Sequence, residues 1–159
     1  MKILVLSDTH GDIDNARRAI IKNNDIDLII HLGDYFRDAE NIKNEFPDIP
    51  IEYIYGNSDF LVNDTPSEKI LKIEGKCFFI THGHKYSVKW GYSKLFKKAE
   101  EVGADILLFG HTHVADIVEN EHCSIMNPGS ISESRSNLGE SYAIIDITND
   151  TIKMRLCYI

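Results

Sequence analysis

Short apolar runs recur along the chain, and each empties at once into Asp, His, Asn or Gly. KILVLS, residues 2–7, is bounded by Asp8 and reads as a buried strand. DIDNARRAIIKNN then places Ile13, Ala16, Ala19 and Ile20 at helical spacing, with Asp12 as the expected N-cap. LIIHL is expected as the second strand, DAENIKNEF as a short helix ended by Pro47, and IEYIY as the third strand. This βαβαβ opening predicts parallel strands with right-handed crossovers, and chemistry at their carboxyl ends.

The second half has a different rhythm. EKILKIEGKCFFITHG is two strand-like runs around Glu74-Gly75, which predicts a hairpin. WGYSKLFKKAEEVGA is helical and closes on Gly103, the expected C-cap. Trp90, Tyr92, Leu95 and Phe96 read first as its packing face, with Trp90 or Tyr92 also placed to border a site near HGHKY. ADILLFG, ADIVEN, CSIMNPGS, SYAIID and TIKMRLCYI follow as strands, with a turn at Asn149-Asp150. The expected fold class is α/β (α+β): one domain over 1–159, built as two facing β-sheets flanked by helices.

Length and composition narrow the function. A chain of 159 residues fits one core. Its formal net charge of −8 gives no electrostatic footprint for a polymeric nucleic acid or an anionic membrane, and no basic stripe argues for a nuclease. Cys77, Cys123 and Cys157 are odd in number and show no C-x-x-C spacing, which argues for a reducing compartment. MKILVLSD is too short for a signal h-region, and no stretch reaches the ~18 apolar residues of a membrane span. A cytoplasmic protein is expected, and a homo-oligomer is compatible with the sequence.

The polar residues collect at strand ends. ILVLS leads to Asp8-Thr9-His10, LIIHL to Gly33-Asp34, and IEYIY to Gly56-Asn57. CFFIT leads to His82-Gly83-His84, and DILLF to Gly110-His111-Thr112-His113. Five such endings on neighbouring strands point to one convergent site. Oxygen and imidazole donors without a thiolate suit Mn, Fe, Co, Ni or Zn. Asp8, His10, Asp34, Asn57, His82, His111 and His113 are too many for one tetrahedral ion. They suit two ions sharing a carboxylate, ~3.5–4 Å apart as in two-metal hydrolytic centres.

The ordered motifs D-x-H, GD, GN-x-D, HGH and GHTH resemble those of the calcineurin-like metallophosphoesterase superfamily. The length and the NPGS segment, Asn127 to Ser130, are similar to its small bacterial and archaeal phosphodiesterase branch. Each motif alone is weakly specific; the ordered set, from Asp8 to Ser130, is highly so. The resemblance implies a β-sandwich flanked by helices and two divalent ions, with manganese the first choice ahead of Ni, Fe, Co or Zn. It assigns Asp8, His10 and His113 to one ion, Asn57, His82 and His111 to the other, and Asp34 to both. The implied activity is hydrolysis of a small phosphodiester by a metal-bridging hydroxide. Asp34 and Asn57 are then catalytic, Asn57 both binding metal and donating to the phosphate, with backbone N–H groups near Gly11 as further donors.

Blander roles stand beside these. Asp8, Asp34 and Asn57 are also good caps and turn-formers. His31, inside an apolar strand, reads as a satisfied core or supporting histidine, and His122 in NENEH as an exposed one. Asn127 and Ser130 read as turn-shapers around Pro128. His84 and Arg135 are candidate substrate contacts, as are Ser58 and Asp59 of the GN-x-D motif. Many superfamily members carry His where this chain has Ser58, and a hydroxyl cannot replace an imidazolium as general acid. The small branch commonly lacks that His, so phosphodiesters are expected over phosphomonoesters. The rival reading is a non-catalytic scaffold on the same fold, resembling the retromer scaffold subunit; it is opposed by the seven retained donors.

Overall fold

The computed structural model describes residues 1–60, 64–149 and 151–159. Among these, β1 (Lys2–Leu6), α1 (Asp14–Lys22), β2 (Leu28–His31), α2 (Phe36–Glu45) and β3 (Ile51–Tyr53) form the opening half. The hairpin of β4 (Glu68–Ile73) and β5 (Lys76–Thr81) follows, then α3 (Ser93–Val102) and β6 (Ile106–Leu108). The chain ends in β7 (Ala115–Val118), β8 (Ser124–Pro128), β9 (Ser141–Thr148) and β10 (Thr151–Tyr158). Two five-stranded sheets result, ordered β10-β9-β1-β2-β3 and β4-β5-β6-β8-β7.

Both sheets keep a parallel centre. β1 pairs with β2 and β2 with β3 in parallel, as the βαβαβ opening predicts. In the second sheet β5 pairs with β6 and β6 with β8 in parallel, while β4 and β7 pair antiparallel at the edges. The carboxyl ends of β1, β2, β3, β5 and β6 carry the five polar motifs.

The apolar runs are unbroken because both faces of the central strands are buried. In β1, Ile3 and Val5 point between the sheets with Ile30, Ile80, Leu108 and Met126. Leu4 and Leu6 point outward, against Ala16 and Ile20 of α1 and Ile42 of α2. On the far side, Leu95 and Ala99 of α3 pack on Phe79, Leu107 and Phe109. The order of layers is therefore helix, sheet, sheet, helix, as expected.

Boundaries depart from the pattern at helix starts. α1 begins at Asp14, and Asp12 accepts the Asp14 N–H at 3.0 Å from two residues upstream instead of occupying the N-cap, which is Ile13. α2 begins at Phe36, two residues before the expected start, because buried Phe36 joins its apolar face. α3 begins at Ser93, after short 3₁₀ turns at His84–Tyr86 and Val88–Trp90. Trp90 is 93% exposed and not part of the helix packing, whereas Leu95 is fully buried and Tyr92 stacks edge-on against Phe109 at 5.1 Å. Gly103 ends α3 at φ 64°, as a C-cap should. The Glu74-Gly75 turn has φ of 48° and 76°, matching a tight hairpin. Asn149 is left-handed at φ 45°; Asp150, its expected turn partner, lies outside the described residues.

The inter-sheet core sets the spacing of the two sets of strand ends. Ile30→Ala, at its fully buried centre, is expected to destabilise the protein by ~2–5 kcal/mol through lost contacts and a cavity. Chemical denaturation measures this; a loss below ~1 kcal/mol would show that the sheets are held together elsewhere.

Candidate metal centre

At the strand ends the backbone turns sharply. Asp8, His10, Asp34, His111 and His113 have φ of 56°, 48°, 45°, 71° and 60°. Left-handed backbone is uncommon for residues with a side chain, and five candidate donors share it. Glycine makes room beside them. A Cβ on Gly56 would lie 2.1 Å from Asp34 Oδ1, and one on Gly110 would lie 2.0 Å from Ser7 Oγ. The glycines of GN and GH are thus required by close approach, not by turn preference alone.

The turns bring the seven candidate residues into one cluster. Asp8 Oδ1 is buried, with three imidazole nitrogens close to it: His113 Nε2 at 3.2 Å, His10 Nε2 at 3.8 Å and His82 Nε2 at 3.9 Å. Among the described residues it accepts no hydrogen bond. Asp34 Oδ2 lies 3.4 Å from His82 Nε2 and 3.9 Å from His10 Nε2, between the two groups of imidazoles. Asn57 Oδ1 is 3.2 Å from His82 Nε2, and the His111 ring stands 5.2 Å from the His82 ring. Two sets, Asp8-His10-His113 and Asp8-Asp34-His82, have their donor atoms close enough to hold an ion.

The donor chemistry fits divalent metal. His82 Nδ1 donates to Leu32 O at 2.8 Å and His113 Nδ1 to Glu133 O at 2.7 Å. Each imidazole therefore turns an Nε2 lone pair into the cluster once neutral, the arrangement in which a carbonyl orients a metal-binding histidine. A buried carboxylate oxygen with no donor is costly unless a cation meets it.

Charge in the metal-free chain follows the same geometry. Burial works to raise Asp8, but the imidazoles of His113 and His82 hold its carboxyl below the ordinary range. Burial likewise opposes ionisation of Asp34, and contact with His82, its charge and the Ser58 N–H override it, keeping the carboxyl low. Burial lowers His82 and His113, yet the carboxylates of Asp34 and Asp8 raise both on balance. His111 falls to about 4 through burial, the charge of His82 and that of Lys89. His84 is lowered by burial and by His82 and Lys85.

A second ring of residues fixes these loops, and several were not legible as functional. Ser7 Oγ donates to Asp8 Oδ2 at 2.5 Å, and the His111 N–H donates to the same oxygen at 3.1 Å. Buried Asn127 shapes its turn by accepting the Gly129 N–H, and also donates to Gly110 O and Thr112 Oγ1 at 2.8 and 3.0 Å. Ser130 Oγ donates to Asp8 O at 2.8 Å, and Ser132 Oγ lies 2.8 Å from Thr9 O. Asn127 and Ser130 thus clamp two donor loops as well as turning the chain. The NPGS segment was the one visible signal; Ser7 and Ser132 had none.

The remaining candidates sort by what they touch. Ser58 Oγ donates to Asp34 Oδ2 and its N–H to Asp34 Oδ1, both at 2.9 Å. The Asp59 carboxylate accepts the N–H groups of Gly56, Phe36 and Asp34 at 2.7, 2.8 and 3.2 Å. The Gly11 N–H is taken by Asp38 at 2.8 Å. The His84 ring lies 5.5 Å from that of His82, with a buried Nδ1 that has no partner among the described residues. Arg135 is exposed, tied by its N–H to His113 O at 3.0 Å. His122 is exposed, as expected.

His31 is fully buried beside the cluster and is a supporting histidine. Its Nδ1 accepts the Gly33 N–H at 3.2 Å, so Nε2 carries the proton and donates to Thr9 Oγ1 at 3.2 Å; Thr9 in turn donates to Asp34 O. Burial depresses its pKa from 6.5 to about 4. The unfolded chain therefore takes up the proton first, and this residue removes ~3 kcal/mol of stability as pH falls from 6.5 towards 4. Imidazole NMR of the metal-free protein should show a neutral Nε2–H ring down to about pH 4. A ring titrating at the ordinary value would contradict this arrangement.

Known proteins share this fold. The profile of the calcineurin-like phosphoesterase superfamily domain matches residues 1–150. A Bacillus subtilis protein described as probable metallophosphoesterase YsnB is 34% identical over 158 residues, covering 98% of this chain and 89% of its own length. Phosphodiesterase MJ0936 of Methanocaldococcus jannaschii is 33% identical over 147 residues, covering 81% of this chain and 83% of its own length. A crystal structure of a predicted phosphoesterase from Streptococcus pneumoniae superposes with a TM-score of 0.84 at 28% identity, covering 99% of this chain and 88% of that one. With the profile spanning nearly the whole chain and relatives above 30% identity along it, the chain belongs to the calcineurin-like metallophosphoesterase superfamily.

Proposed function

We propose that the chain, acting as one domain, is a dimetal-dependent phosphodiesterase that hydrolyses small phosphodiesters. The observation that carries this reading is the buried, partnerless Asp8 Oδ1 with three Nε2 atoms within 3.9 Å of it. Manganese is the first choice of ion by resemblance to the family, among the Mn, Fe, Co, Ni and Zn that a mixed oxygen and imidazole donor set admits. Bound here, two divalent ions supply Lewis acidity, acidifying water and offsetting charge on the phosphoryl oxygens. The phosphodiesterase named among the relatives supports a diester substrate. Three free cysteines support a cytoplasmic setting.

The chain's own residues position everything else. Asp8, His10 and His113 would hold one ion, Asn57, His82 and His111 the other, and Asp34 would serve both. Leu32 O and Glu133 O fix the tautomers of His82 and His113. Asn57 Nδ2, which donates to Ser58 Oγ at 3.3 Å, is the donor that would exchange this contact for a phosphoryl oxygen. His84 and Arg135 border the substrate, while Ser58 and Asp59 act on it through Asp34. The scaffold reading is the lesser one, since an interaction surface needs none of the seven donors.

Metal removal by chelator should abolish activity, and restored manganese should bind at two ions per chain. Asp34→Ala should cut activity by at least about a hundredfold, since even outer partners of metal ligands are worth ~10–100-fold. One ion retained with full activity would rule out a shared role for Asp34. Kinetic efficiency should be higher on bis-para-nitrophenyl phosphate than on para-nitrophenyl phosphate; parity would count against diester preference.

The ions also compete with protons. His82 and His113 are raised above 6.5 in the metal-free chain, so they remain protonated to higher pH than ordinary histidines. Metal affinity should therefore rise as pH increases through neutrality. Calorimetric titration with manganese at several pH values tests this, and an affinity flat from pH 6 to about 8 would contradict it.

A further inference from the structure

Two carboxylates outside the donor set hold one exposed aromatic residue in place. Tyr35 directly follows Asp34 and is 41% exposed. The residues before and after it, Asp34 and Phe36, both donate their N–H groups to Asp59, to Oδ2 at 3.2 Å and to Oδ1 at 2.8 Å. The Tyr35 carbonyl accepts the Asp38 N–H at 3.0 Å. Buried Asp38 in turn accepts, through its side chain, the N–H of Gly11, the residue after His10, at 2.8 Å. The backbone at Tyr35 is thereby tied to the loop after β1 and to the loop after β3.

The ring of Tyr35 meets the cluster directly. It stands edge-on to the His10 imidazole, with centroids 5.4 Å apart and planes at 68°. The exposed aromatic side chains among the described residues are Tyr35, Phe60 and Trp90, and of these Tyr35 alone has a ring contact with a candidate donor. A single exposed apolar side chain needs no explanation. A phenol against a donor, on a backbone held from both sides, is a preorganised surface. Tyrosine gives up little conformational entropy when a ligand covers it, and a rigid contact costs less to form than a mobile one.

A phosphoryl group seated at Asp8, His10 and His113 brings its ester group beside this phenol. A flat aromatic ring there can stack on it, offset or edge-to-face. A fixed surface suits the ester group that stays on phosphorus, because that group does not move away as the other bond breaks. We propose that Tyr35 is a specificity-determining residue, selecting diesters whose retained alcohol carries a flat aromatic ring. The proposal rests on the phosphodiesterase reading above and narrows it.

The test compares the manganese-loaded protein on naphthylmethyl para-nitrophenyl phosphate and on methyl para-nitrophenyl phosphate. Both lose the same para-nitrophenolate and differ only in the group that stays. Efficiency should be about three- to tenfold higher on the naphthylmethyl diester, the scale of one aromatic pair. Tyr35→Ala should lower efficiency on that diester by about the same factor, mainly through KM, with a smaller loss on the methyl diester. Tyr35→Phe should keep the preference, since stacking needs the ring and not the hydroxyl. Calorimetry gives a reading free of turnover: naphthylmethyl phosphate should bind the loaded protein more tightly than methyl phosphate, and Tyr35→Ala should remove that difference. Equal efficiency on the two diesters, or equal losses on both in Tyr35→Ala, would overturn the proposal alone. Inactivity on both would overturn the phosphodiesterase reading, and this proposal with it.

Discussion

A carboxylate oxygen buried without a hydrogen-bond donor is the constraint on which this architecture turns. Asp8 Oδ1 has no hydrogen-bond partner among the described residues, and three imidazole nitrogens stand within 3.9 Å of it. Leaving a buried charge uncompensated costs several kcal/mol, so the arrangement is sensible only when cations complete it. Asp8, His10, Asp34 and Asn57 come from the ends of one sheet, whereas His82, His111 and His113 come from the other. The site therefore exists only because the inter-sheet core holds two sets of strand ends face to face. Packing and chemistry are the same constraint viewed from opposite ends of the strands.

Rigidity at that junction is built from backbone and small polar side chains. Five candidate donors sit in left-handed backbone, which costs of order 1–3 kcal/mol for each strained residue and persists only where the surroundings impose it. The surroundings are identifiable. Ser130 and Asn127 hold the loops after β1 and β6, and Asp59 gathers the loops after β2 and β3. Ser58 then fixes both oxygens of Asp34. In this protein the residue that follows GN serves the carboxylate of Asp34, and the chain does without an imidazole acid at that place.

Much of this was legible in the sequence because two periodicities coincide with chemistry. A strand buried on both faces reads as an unbroken apolar run, and its end is marked by the first charged or glycyl residue. Asp8, Asp34, Asn57, His82 and His111 could be placed at strand tips on that basis alone, and the clustering in space follows from parallel pairing. Helix starts were less legible. Asp12 has the side chain of an N-cap, yet the chain needs one more residue before it can turn, so Ile13 holds the position. Trp90 looked like packing because an indole is usually buried, but the 3₁₀ turn at Val88–Trp90 points Val88 inward and leaves Trp90 in water. Two serines carried no signal at all: Ser7 and Ser132 act through hydroxyl contacts that depend on where loops meet in the fold. Asp59 was singled out by its place in the GN-x-D motif, but no pattern shows that three backbone N–H groups meet its carboxylate.

The central claim is that two ions share one site through a carboxylate of this chain, not that two ions bind somewhere on it. Electron paramagnetic resonance of the protein titrated with manganese tests that claim most directly. Ions joined through Asp34 should give the spectrum of a spin-coupled pair once both are bound, and that coupling should vanish in Asp34→Ala. A spectrum of isolated ions at full loading of the wild-type protein would contradict the account.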